Sequence, residues 1–324
     1  MKWGIIGAGT IAKKFADTVN KMEGESLVAV GSRTLDKAES FAKEYGAPFF
    51  YGSYEELANS SEIDAVYIAT PNSMHFENSM LCLNAGKHVL CEKPFTLRAE
   101  DAEKLYKTAE EKGLFIMEGF WIWFLPLYKK LREIVDSKVF GEIVHVRTEY
   151  GFVAKGARRT RKFESSLGGG ALLDIGIYNL GFIQMVTGDY PETFSSEVRF
   201  NELATDEYSL IQYRYEDGKT ANALTSIGYN IPRHAAIMFE HGQIYLDDFQ
   251  HAESMTVIPE NGEKYIIEDE FEISGFEYEI REVSRCVEAG LSHSDFYTPD
   301  DNLSILSQMD EIRDVWGMKF ECEE

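Results

Sequence analysis

The chain has 324 residues, 44% of them hydrophobic and 27% charged, which is more than one small core organises, so two domains are expected. Its net charge of −23 disfavours nucleic acid or an anionic membrane as partner, since both would repel such a surface. We read no run of about 18 apolar residues and no signal-peptide organisation, and the four cysteines (Cys82, Cys91, Cys286, Cys322) show neither metal spacing nor a disulfide framework. The expectation is a cytoplasmic protein with reduced thiols and no metal.

The first element is an apolar run ending at Gly7, followed by a turn and a helical pattern with Ile11, Phe15, Ala16 and Val19 on one face. The stretch Gly7-x-Gly9-x-x-Ala12 therefore sits between a strand and a helix. Gly7 permits the tight turn, Gly9 carries no side chain to block a pyrophosphate, and Ala12 allows close helix–sheet packing. Thr10 and Ile11 open the helix, whose free N–H groups face an anion. Strands follow at 27–31, 49–51, 65–69, 88–91 and 114–117. Helices lie between them, one opened by a capping box at Ser53 and Glu56, others closed by Gly46, Gly86 and Gly113. This alternation predicts an α/β Rossmann-type, doubly wound parallel sheet over 1–120. Pro126 then opens a helix. From Gly141 the texture changes to longer alternating strands at 142–152, 194–200, 208–215, 220–227, 235–240 and 243–247, and two helices, 277–289 and 302–316, close the chain. The second domain, 121–324, is thus expected to be α+β with a large, mostly antiparallel open sheet, one side of which is available for a subunit partner.

Ligands of open α/β sheets lie beyond the carboxyl ends of the strands. Three loops occupy those ends. Ser32 and Arg33 stand where an acid would hold an NAD ribose; a hydroxyl and a guanidinium suit a 2′-phosphate instead, with Lys37 adding charge. The alternative is a solvated Arg beside a helix capped by Thr34. Thr70-Pro71-Asn72 with His75 would lie along the pyrophosphate and nicotinamide ribose, or serve only as turn and cap. Glu92-Lys93-Pro94 puts an ammonium at the end of a central strand, where it can stabilise the oxyanion of a carbonyl being reduced. Further on, Gly168-Gly169-Gly170 precedes a helix on which Asp174 and Tyr178 share one face. A Tyr beside a cationic Lys can serve as general acid or base; alternatively Asp174 is a cap and Tyr178 a core aromatic.

Taken together, Gly7-x-Gly9-x-x-Ala12, Ala69-Thr70-Pro71-Asn72, Glu92-Lys93-Pro94 and the Gly-Gly-Gly…Asp174…Tyr178 segment resemble the Gfo/Idh/MocA oxidoreductase family over nearly the whole chain. Many members carry His where this chain has Tyr178. Tyr there is similar to the branch with dimeric dihydrodiol dehydrogenase, glucose-fructose oxidoreductase and NADP-dependent xylose dehydrogenase. The resemblance implies that Lys93 and Tyr178 are the acid/base pair, with Asp174 orienting the substrate or Lys93, and that Glu92 belongs to the cofactor loop. It also implies a homodimer or higher homo-oligomer. Lacking an export signal, the chain departs from the exported glucose-fructose oxidoreductases, which favours exchangeable cofactor. Trp121 resembles an active-site Trp of that branch, and Phe152 and Phe276 are further substrate-facing candidates. Arg158, Arg159, Arg161 and Lys162 form a dense basic cluster, either guiding substrate or held to an acidic surface. The expectation is an NADP-preferring (NAD possible) oxidoreductase acting on a sugar, polyol or cyclic diol. Its rivals are a redox-neutral enzyme with retained NAD and a dinucleotide-binding sensor without turnover.

Overall fold

The computed structural model describes residues 1–156 and 161–323 and begins, as the apolar run requires, with a buried strand, β1 (Lys2–Ile6). The units that follow are α1 (Thr10–Val19), β2 (Ser26–Gly31), α2 (Leu35–Tyr45), β3 (Phe49–Tyr51), α3 (Tyr54–Ala58), β4 (Ala65–Ile68), α4 (His75–Asn84), β5 (His88–Glu92), α5 (Ala99–Lys112) and β6 (Ile116–Gly119). The strands pair in the order β3-β2-β1-β4-β5-β6, all parallel, so the order reverses between β1 and β4. That is the doubly wound arrangement expected, with its ligand crevice at the reversal. Its core is aromatic: Phe15 of α1 stacks on Tyr67 of β4 at 3.9 Å, and Trp3 meets Phe15 edge-on. The capping box forms, Ser53 Oγ accepting the Glu56 N–H at 3.1 Å.

After α6 (Pro126–Ser137) come β7 (Ile143–Gly151), a π-helical turn Leu172–Gly176, α7 (Ile177–Thr187), β8 (Thr193–Phe200), β9 (Asp206–Arg214), β10 (Thr220–Ser226), β11 (Ile231–Phe239), β12 (Gly242–Asp247), β13 (Ser254–Pro259) and β14 (Tyr265–Glu268). The chain closes with α8 (Phe276–Glu288) and α9 (Pro299–Trp316). The eight strands pair as β14-β13-β12-β11-β7-β10-β9-β8; every pairing is antiparallel except β7 with β10. β13 and β14 were not expected. Tyr265 and Ile266 are both exposed on the edge strand, so the alternation that marks a half-buried strand is missing there. The stretch Ser165–Thr187 is long and apolar enough by composition to cross a membrane, contrary to the absence of such a run read above. In the fold, 83% of that window is buried inside the protein.

Two compact units result, Met1–Trp121 with Glu272–Leu303, and Ile122–Phe271 with Ser304–Glu324. The segment Glu272–Leu303, which a boundary at 120 assigns to the second domain, thus lies in the first unit. Its amphipathic helix α8 buries Ile280 and Val283, and Ser274 and Ser284 bond back to Thr18 and Glu25.

Candidate active site

In the first unit, Gly7 has φ +99°, and a Cβ there would come within 2.7 Å of the Ala69 carbonyl oxygen. Gly9 is different: its backbone is extended, and a Cβ would meet nothing within 4 Å. Thr10 and Ile11 then begin α1, which has no side-chain cap and no acid in its first turn. Open space, uncapped N–H groups and the helix dipole together fit an anionic pyrophosphate. At the end of β2, Ser32 is buried and its N–H reaches the Tyr51 carbonyl at 3.2 Å, while Arg33 and Lys37 are exposed. A guanidinium and an ammonium presented in this way fit a 2′-phosphate.

The next loop is held from behind. His75 is fully buried, one ring nitrogen 2.7 Å from the Pro94 carbonyl and the other 3.0 Å from the Thr70 carbonyl. A neutral imidazole donates only one of these bonds. His75 thereby fastens the loop after β4 to the loop after β5, and both of its nitrogens face protein rather than the crevice. Asn78 donates to Thr70 Oγ1 at 3.1 Å, and Asn72 is half-buried at the start of a short 3-10 turn.

Lys93 is half-buried, and its loop rests on two buried carboxylates. Glu92 accepts the Lys93 N–H at 3.2 Å and the Tyr67 hydroxyl at 2.5 Å; burial pushes its carboxyl upward. Glu118 accepts the Phe95 N–H at 2.7 Å, the Tyr297 hydroxyl at 2.5 Å and the Asn302 amide at 2.9 Å, and burial pushes it up to about 7. Lys14, on α1, places its ammonium 3.9 Å from the Trp121 ring centroid and 4.6 Å from that of Phe276, whose rings lie 5.4 Å apart. Burial lowers the Lys14 pKa, opposed by Glu279, Glu92 and Glu277. Glu279 is itself fully buried, and its carboxyl is raised well above the usual range by desolvation and by Glu92. Sequence reading missed Lys14, Glu118 and Glu279, because nothing local marks a charge destined for burial.

In the second unit, Gly168-Gly169-Gly170 leads into the π-turn that carries Asp174, and Tyr178 follows in α7. The wider turn was not expected, but it keeps residues four apart on neighbouring positions. Asp174 forms an ion pair with Lys162, whose ammonium also sits 5.0 Å over the Phe152 ring. Tyr178 is 6% exposed, its ring 6.2 Å from that of Tyr150, which lies equally far from Phe152. Asp174, Tyr178 and Phe152 are thus gathered with Tyr150 and Lys162. Of the basic cluster, Lys162 pairs with Asp174, Arg161 is exposed, and Arg158 and Arg159 lie outside the described residues. The arrangement offers a phenol, a carboxylate and an ammonium beside aromatic faces, the groups suited to gripping and deprotonating a hydroxylated ring.

Residues 1–120 match the family described as an oxidoreductase family with an NAD-binding Rossmann fold, and residues 128–245 match the Gfo/Idh/MocA C-terminal domain. A trans-1,2-dihydrobenzene-1,2-diol dehydrogenase from Xenopus tropicalis is 31% identical over 328 residues, spanning 98% of this chain and 99% of its own. The Mus musculus protein of the same name is 31% identical over 331 residues, spanning 99% and 98%. A solved 3-ketoreductase from Actinomadura kijaniata, in complex with NADP and TDP-benzene, superposes with a TM-score of 0.88 at 25% identity over 97% of both chains. An aldose-aldose oxidoreductase from Caulobacter crescentus, complexed with glycerol, shares the fold with a TM-score of 0.87 at 24% identity over 97% of this chain and 96% of its own.

Proposed function

This chain belongs to the Gfo/Idh/MocA family of oxidoreductases, and from that premise we propose that it transfers hydride between NADP and a hydroxyl-bearing carbon of a sugar, polyol or cyclic diol. The observation that carries the proposal is the phosphate cradle, open space over Gly9 at an uncapped helix start. Exposed Arg33 and Lys37 support NADP over NAD, as do related structures with NADP bound. The named diol dehydrogenases and the aldose oxidoreductase support the substrate class.

When bound, the nicotinamide supplies the hydride acceptor or donor. In the oxidation direction, Tyr178 as phenolate takes the hydroxyl proton and becomes the neutral phenol, and Lys93 stabilises the negative charge developing on the substrate oxygen. Asp174, held by Lys162, orients the substrate hydroxyls, while Trp121, Phe152 and Phe276 supply faces for its C–H surfaces. Asn72 and Thr70 complete the cofactor side. The same proposal includes a cytoplasmic setting and self-association, a homodimer or higher homo-oligomer, through the second sheet. There the exposed Ile258 and Ile266 share the face opposite the buried Met255 and Val257.

The test is fluorescence titration with NADPH and NADH, followed by nicotinamide absorbance with a panel of pyranoses, polyols and cyclic diols. Tight NADPH binding with turnover on that panel is the expected result. Binding without turnover would favour a dinucleotide sensor, and nicotinamide that survives dialysis would favour a redox-neutral reaction with retained cofactor. Failure to bind either nucleotide would end the proposal.

A further inference from the structure

The segment carrying Asp174 and Tyr178 takes its starting point from a distant strand. Asp206, the first residue of β9, is fully buried, and its Oδ2 accepts the Leu172 N–H at 2.7 Å. Leu172 opens the π-turn, so Asp206 satisfies one of the N–H groups that a helix start leaves without an intrahelical partner. It also brings a carboxylate to the positive end of the helical segment. The approach is close enough to dictate the residue at 170: Gly170 has φ +121°, and a Cβ there would clash with Asp206 Oδ1. The strand is anchored on its own side, where Thr205 Oγ1 donates to the Phe163 carbonyl at 3.0 Å and accepts from Asn201 at 2.7 Å.

Two features exceed what an ordinary cap requires. Helix caps are usually Ser, Thr, Asn or Asp from the residue just before the helix, and they sit at the surface. Here a carboxylate is brought from 34 residues away, fully buried, and its Oδ1 has no hydrogen-bond partner among the described residues. Burial pushes this carboxyl up to about 7, opposed by the surrounding backbone amides and by Arg313. A buried carboxyl with one oxygen unsatisfied costs free energy. The structure it holds explains the cost. A π-turn carries one residue more per turn than an α-helix, and closing it to α geometry would rotate the preceding chain by about 100° about the axis. That rotation would turn the preceding chain, and Lys162 with it, relative to Asp174 and Tyr178.

We propose that Asp206 is a positioning residue for the reaction, its bond to Leu172 keeping the π-turn open and so aiming Asp174 and Tyr178. The inference rests on the assignment of Tyr178 made above. Asp206→Asn keeps a carbonyl acceptor for the Leu172 N–H, whereas Asp206→Leu fills the same space without one. The leucine variant is expected to lose about 10²-fold in kcat, the usual cost of a reacting group displaced by about 1 Å. NADPH affinity should stay within about twofold, because the cofactor loops belong to the other unit, whereas substrate KM should rise along with the loss in kcat, because Asp174 orients the substrate. The asparagine variant should recover kcat to within about threefold of wild type. Amide exchange of peptides covering 170–176 should quicken in the leucine variant and not in the asparagine variant. A folded leucine variant with fast exchange there and wild-type kcat overturns the inference, as does an asparagine variant that is equally impaired. Should the leucine variant fail to fold, Asp206→Ser, whose hydroxyl stops short of Leu172, takes its place under the same criteria. Tyr178→Phe, measured alongside, separates the failures. If it is inactive while the leucine variant is fully active, only this inference falls; if both are active, the assignment of Tyr178 falls as well.

Discussion

Alanine at Gly9 separates the cofactor's demand on the turn from the fold's demand. Gly9 has φ −90° and ψ −176°, a conformation open to any residue, and its Cβ would meet nothing within 4 Å. Removing glycine's freedom from the unfolded chain favours the variant by about 0.4–1 kcal/mol. Losing a glycine at a helix N-cap costs about the same. The net change is close to zero, and Tm should stay within about 3 °C of wild type. Binding is another matter, since the methyl group occupies the approach to the first-turn N–H groups. Each charged hydrogen bond forfeited costs about 1.5–3 kcal/mol. NADPH Kd should therefore rise by about 10- to 100-fold. Gly7→Ala is the contrasting control: left-handed backbone costs an alanine about 1–2 kcal/mol before its Cβ meets the Ala69 carbonyl, so this variant should lose stability outright. Nucleotide fluorescence titration and thermal melts on the three proteins read both quantities. If Gly9→Ala binds NADPH as wild type does, the phosphate is not where the cradle puts it, and the reasoning fails.

Three further outcomes follow from the site. Tyr178→Phe and Lys93→Met should each lower kcat by about 10²–10⁴-fold while NADPH affinity changes little; near-wild-type turnover in steady-state assays would remove the acid/base assignment. Arg33→Ala should weaken NADPH by about tenfold or more and leave NADH nearly unaffected, as its guanidinium is exposed and is proposed to bind the 2′-phosphate that NADH lacks; equal losses for both nucleotides would contradict this. Glu118 titrates at about 7 in the fold against 4.5 unfolded, so the native state holds its proton more tightly. The group's contribution is therefore most favourable below pH 4.5 and declines as pH rises towards 7. At about 1.4 kcal/mol per pH unit this amounts to about 3 kcal/mol. Denaturant titrations across that window should show Glu118→Gln gaining on wild type as pH rises, and a constant gap would show that Glu118 is ionised throughout.

The parts of the site that were legible in advance are local in sequence. Gly7, Gly9 and Ala12 act within one strand–turn–helix. Lys93 and its flanking Glu92 and Pro94 mark the end of a strand whose apolar run is plain. The supports of those same residues were not legible. Glu118 is held by Tyr297 and Asn302, 179 and 184 residues away, and the cage around Lys14 joins α1 to Trp121 and Phe276. A charged residue looks the same in sequence whether it faces water or a buried partner. The basic cluster at 158–162 shows this well, since Lys162 turns inward to Asp174 while Arg161 faces outward. His75, read either as a cofactor residue or as part of the turn, lies against two backbone carbonyls, a placement set by the spacing of two loops that sequence alone does not measure.

By itself the sequence determined the parallel βα succession, the glycine turn between its first strand and helix, and the change to a β-rich second half. Hydrophobic periodicity and turn residues act over a few positions, and each element declares itself. Tertiary structure alone decided where α8 belongs, which carboxylates are buried beneath the Lys93 loop, and that a π-turn, capped from β9, carries Asp174. These depend on which surfaces meet after the chain has closed on itself, and the free energy of burying a charge has no value until its partners are in place.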